Sequence, residues 1–148
     1  YFDSKEAVFN ALSDEIGMEL RQLLRDVRQR ATSFDGFIEA MFLTYFSYYA
    51  KNRENYMPTR SNRGRGGMNE VMQGPQARAS LAELSYDIRQ VIAEDVIPQL
   101  DVEFLTASLG GVAFSILDEM MEREPLDPEA AAQFATRLFM TGVRGNRD

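Results

Sequence analysis

The chain has no cysteine and no histidine. Their absence excludes disulfides, thiolate metal sites, cysteine nucleophiles and every histidine-based triad or ligand set. A site built from carboxylates alone remains open. Missing cysteines fit a reducing compartment, and a cytoplasmic location is the expectation. No uninterrupted apolar run approaches the roughly 20 residues of a membrane helix, and no signal peptide is visible. No membrane partner is therefore expected. A basic surplus is missing too: 16 basic residues stand against 23 acidic ones, a net charge of -7. Phosphate affinity comes from lysine and arginine, so this body should bind nucleic acid poorly by itself.

What is present is ordinary globular material. In 148 residues, 45% are hydrophobic and 26% charged, enough for one core in one domain. The charge is uneven. Residues 51–67 carry five basic side chains and one acidic; residues 78–124 carry three basic and ten acidic. The plain reading, and the favoured one, is a solvated loop beside solvated helix faces; on the sharper reading the acidic side holds this body away from DNA while a separate segment binds it.

The periodicity predicts five helices and no strands. Asp3 as N-cap with Glu6 three residues on starts the first, over about Ser4 to Arg30. Val8, Leu12, Ile16, Leu20, Leu24 and Val27 form its apolar stripe. Asp26 and Arg30 are placed to pair at i,i+4. Ser33 caps the second, to about Arg53, where Phe34, Phe37, Phe42, Tyr45, Phe46, Tyr48 and Tyr49 crowd one segment. A helix apolar nearly all round should be enclosed by others. Asn52 to Pro75 is broken by glycine and proline and reads as a long loop, with a short helix near Met68 to Met72. A third helix spans about Gln76 to Gln99. Asp101 caps a fourth, about Val102 to Arg123, with Gly110 and Gly111 at its centre. Asp127, Pro128 and Glu129 start a fifth, ending at Gly142 or Gly145.

The last two helices offer more apolar surface than one small bundle uses. The expected architecture is an all-α multi-helix bundle whose C-terminal hairpin pairs with its twin in a four-helix homodimer interface. Leu105, Leu109, Val112, Ile116, Ala131, Phe134, Ala135 and Leu138 are the expected contacts.

Other signals carry less. Arg63-Gly64-Arg65-Gly66-Gly67 is one short basic tract, read as a flexible loop. It lacks the Gly-Lys-Ser/Thr element of a phosphate loop. Asp118, Glu119 and Glu122 could form a hard-cation site, but a solvated helix face is the default.

The opening, Tyr1-Phe2-Asp3-Ser4-Lys5-Glu6-Ala7-Val8-Phe9, resembles the junction motif of TetR/AcrR-type transcriptional regulators. In those proteins an aromatic pair closes a helix-turn-helix and Ser-Lys-Glu-Ala begins the helix linking it to the body. The helix order along the whole chain is similar. The resemblance implies that residues 1–3 are the last of a helix-turn-helix that is otherwise missing. Residues 4–148 would then form an effector-binding and dimerisation domain. It implies DNA-phosphate contacts for Tyr1 and Lys5, and operator DNA as a partner through the missing head. It also implies a small apolar or aromatic effector held between the first helix and the central ones. Leu20, Leu24, Met41, Tyr45, Tyr48, Tyr49, Met72, Leu84, Ile88, Phe114 and Leu117 are the candidate lining. The function implied is a repressor released when the effector binds. The alternative is an all-α carrier of an apolar molecule with no DNA role. Neither reading needs a cofactor or a catalytic residue, and an enzyme is not expected.

Overall fold

Capping residues fix most helix starts. The computed structural model describes residues 5–53 and 74–146, except the side chains of residues 5–10, 12 and 13. Tyr1, Asp3, Met72, most of the expected loop and the short helix at Met68 to Met72 lie outside the described residues, as does the side chain of Lys5. Five helices are named here: α1 (Lys5–Arg30), α2 (Phe34–Lys51), α3 (Pro75–Ala93), α4 (Val102–Met121) and α5 (Pro128–Gly145). No strand occurs among the described residues. The all-α fold is as expected.

Ser33 Oγ accepts the Gly36 amide at 3.1 Å and opens α2. Asp101 accepts the Phe104 amide at 2.9 Å, and Asp127 the Ala130 amide at 3.0 Å. Each satisfies an amide that a helix start leaves without an intrahelical partner. Pro75 and Pro128 occupy first-turn positions, where a missing N–H costs nothing. Asp26 departs from expectation: it accepts from Gln22 at 3.2 Å, toward the middle of α1, and makes no bond to Arg30.

Helix α3 stops at Ala93, well short of Gln99. Asp95 takes φ 58°, in the left-handed region. Its amide donates to the Ile92 carbonyl at 3.0 Å, and the Val96 amide reaches back to Val91 at 2.9 Å. This is a Schellman cap with aspartate where glycine is usual. Ile97 beyond it is still buried, so the apolar pattern outlasts the helix.

The main core joins α2, α3, α4 and α5. Ile38, Phe42, Phe46, Ile88 and Val143 are its largest fully buried side chains. Phe42 stacks on Phe46 with centroids 5.9 Å apart and meets Phe139 of α5 edge-on at 6.4 Å. The contact between α2 and α5 is the most extensive among the described helices, and α2 also touches α1 and α4. That enclosure explains its nearly all-round apolar sequence. By length and composition α4 would suffice to cross a bilayer, which the run-length reading of the sequence missed. In the fold its Leu109, Leu117, Met120 and Met121 belong to the core.

Helix α1 is attached differently. Of its described side chains only Val27 packs against the main core. Ile16 and Leu20 instead form a second buried cluster with Tyr48, joined by Leu24, Tyr45 and Tyr49.

Candidate functional site

The aromatic crowding of α2 places Tyr45, Tyr48 and Tyr49 toward α1. The rings of Tyr48 and Tyr49 meet edge-to-face at 5.2 Å, and those of Tyr45 and Tyr49 at 5.4 Å. Such geometry matches the positive edge of one ring to the negative face of the next. The Tyr48 hydroxyl donates to Glu19 of α1 at 3.4 Å. Tyr45 and Tyr49 pack against both clusters and so join the α1 contact to the main core.

The expected effector lining divides accordingly. Leu20, Leu24, Tyr45, Tyr48 and Tyr49 come together between α1 and α2. Leu84, Ile88 and Leu117 are main-core residues, and Met41 is partly buried against that core. Phe114 is buried on α4. The chemistry of the α1/α2 cluster is apolar walls with tyrosine hydroxyls at hand, which suits an apolar molecule bearing one polar group.

Beside this cluster lies a network that sequence reasoning did not find. Arg21, Arg25 and Arg28, on successive turns of α1, converge on Glu83 of α3. Arg21 donates to Oε1 through Nη2 at 2.6 Å and Nε at 3.1 Å. Arg25 donates to the same oxygen at 2.7 Å, and Arg28 reaches Oε2 at 3.5 Å. Arg21 also donates to Gln76 Oε1 at 3.2 Å. The Arg25 and Arg21 guanidiniums lower the Glu83 pKa from 4.5 to about 2, against a partial opposing effect of burial. Asp87, one turn on, behaves oppositely: burial raises its pKa, against the pull of Arg28. Arg28 Nε lies 3.5 Å from Asp87 Oδ2, a charge contact, yet that buried oxygen accepts no hydrogen bond.

A groove of about 370 Å³ opens elsewhere, between the start of α2 and the outer side of α5. Asp35, Glu39, Gln133, Thr136, Arg137, Met140, Thr141 and Arg144 line it. Arg144 is bonded to Asp35 across it. Two carboxylates and two guanidiniums give it a balanced, polar wall, unlike the expected effector site. The only sequence trace is the polar spacing Gln133, Arg137, Thr141 and Arg144 on α5.

The expected dimer residues fall into three groups. Leu109 and Ala135 are buried in the protomer's own core. Leu105, Val112, Ile116 and Ala131 are partly buried against it. Phe134 (60% exposed) and Leu138 (53%) face outward on α5, and Phe104 (77%) does so on α4. Among the described residues, no group of three carboxylates is arranged to hold a metal ion, Asp118, Glu119 and Glu122 included. Comparison with family models, curated proteins and solved structures returned no match.

Proposed function

We propose that the chain is the effector-binding and dimerisation body of a one-component transcriptional regulator of TetR/AcrR type. The supporting observation is the way α1 is held. Its Leu20 and Leu24 pack on Tyr45, Tyr48 and Tyr49 of α2 in a cluster of their own, Val27 meets the main core, and Tyr45 and Tyr49 touch both clusters. A small apolar or aromatic effector lodged among the tyrosines would act on the helix that the resemblance assigns as linker to the DNA head. Its effect equals its differential affinity for the two settings of α1. In a homodimer, shifting α1 changes the spacing of two heads that must meet successive major grooves about 34–36 Å apart. Repression relieved by the effector is the mode proposed. Phe134 and Leu138, too apolar for so exposed a surface, would lie in the dimer seam.

The test is fluorescence anisotropy of the intact gene product on DNA from its own upstream region at fixed salt, with this chain as control. Specific binding by the intact product and none by this chain supports the regulator. Binding no tighter than nonspecific on every such DNA overturns it and favours the carrier reading, for which the same tyrosine cluster would be the binding site.

A further inference from the structure

We infer that Glu83 is the keeper of a charge clasp that holds α1 against α3, and that opening the clasp releases α1 while the α2–α5 core stays folded. The inference goes beyond the proposed function and does not depend on it.

Three observations carry it. First, the apolar attachment of α1 is small. Ile16, Leu20 and Leu24 pack on tyrosines of α2, and among the described side chains of α1 only Val27 reaches the main core. Among the described residues, the side-chain hydrogen bonds between α1 and α3 run from the three arginines to Glu83, from Arg21 to Gln76, and from Gln76 to Asp14 at 3.4 Å. Second, one carboxylate serves three guanidiniums. Its two oxygens accept every bond that the trio makes to Glu83. Asp87 is no substitute, because it lies near Arg28 alone and its Oδ2 accepts no hydrogen bond. Removing the Glu83 charge would leave three arginines, on one face of one helix, repelling each other and facing a single carboxylate of α3. Third, the clasp is partly shielded. The Glu83 side chain is 21% exposed and that of Arg21 26%, so solvent and salt weaken this pair less than at an open surface, while Arg25 and Arg28, at 41% and 39%, lie nearer the solvent. The hydrogen-bonded groups are charged on both sides, the stronger kind of hydrogen bond.

Once undocked, α1 loses its tertiary support. Most of a protein helix's stability comes from packing of its amphipathic face, so without it the amides of α1 become exchangeable while those of the core do not. The experiment is hydrogen exchange read by mass spectrometry on the full chain. It compares the parent, Glu83→Gln and Glu103→Gln; the last breaks the exposed Arg89–Glu103 pair between α3 and α4. Glu83→Gln is expected to speed exchange over residues 14–30 by about tenfold or more, with residues 34–51 and 128–145 within about twofold of the parent. Arg25→Gln removes one donor of three and should accelerate the same segment less. The double variant Glu83→Gln/Arg25→Gln should exchange no faster than Glu83→Gln alone, because the two act through one contact and loss of Arg25 also relieves repulsion among the arginines. Exchange over 14–30 no faster than in Glu103→Gln overturns the inference. So does acceleration of all helices together, which would make α1 part of one cooperative unit.

Discussion

Gly17 of α1 lies so close to Gln76 of α3 that a methyl group on Gly17 would sit 2.7 Å from the Gln76 Cβ. Carbon atoms need about 3.5–4.0 Å. The clashing atom is fixed to the α3 backbone, so the helices themselves must part. Gly17→Ala therefore sets two effects against each other. Alanine favours the helix by about 1 kcal/mol. Forced overlap costs about 1–3 kcal/mol. A lower Tm than the parent is expected, by a few degrees, in a thermal melt followed by circular dichroism. A higher Tm would mean that the first turn of α3 yields easily.

Gly111 of α4 is the contrasting case, since a methyl group there meets nothing within 4 Å. In the protomer, Gly111→Ala should gain up to about 1 kcal/mol. If the outer side of α4 meets a second copy, the same methyl weakens association. Sedimentation equilibrium beside a thermal melt separates the two effects.

Phe134→Ser with Leu138→Ser tests the α5 side of the proposed dimer seam. Both side chains are largely exposed in the protomer, so its fold should survive with a Tm within a few degrees of the parent. The expected result is conversion of dimer to monomer by sedimentation. An unchanged dimer would place the interface elsewhere.

Acid titration should reveal Glu83. Its pKa falls from 4.5 to about 2 on folding, so its stabilisation is complete above about pH 4.5 and lost as pH drops toward 2. Glu83→Gln should be less stable than the parent at neutral pH and converge on it in strong acid. Asp87 has the opposite sign. Burial raises its pKa, so its cost appears as pH rises through that folded value. Asp87→Asn should leave Tm unchanged or higher at neutral pH, with no gain once the carboxyl is protonated.

Asp95 offers a backbone test. It holds φ 58°, where a side chain is strained and glycine is not. Asp95→Gly should raise stability by roughly 1 kcal/mol in a urea melt, with the slope unchanged.

Much of this fold was legible because caps and stripes are local signals. Ser33, Asp101 and Asp127 mark their helix starts to the residue. The end of α3 was misjudged because Val96 and Ile97 prolong its apolar pattern, while the turn depends on a left-handed aspartate that no spacing announces. The sequence groups Tyr45, Tyr48 and Tyr49 in one expected lining with residues of all four helices, α1 to α4. Leu84, Ile88 and Leu117 share the apolar character of the tyrosine cluster but belong to the main core, and only tertiary contacts tell the two apart. Arg21, Arg25 and Arg28 recur at helical spacing, yet nothing local reveals the carboxylate that gathers them. The α2/α5 groove, too, exists only once Asp35 and Arg144 meet from opposite ends of the chain.

The separation of the α1 cluster from the main core has a kinetic side. A chain that condenses α2 with α5 can complete its interior before α1 arrives. Substitutions at Leu20 or Tyr48 should then speed unfolding and leave refolding almost unchanged, whereas truncating Phe42 or Phe46 should slow refolding as well.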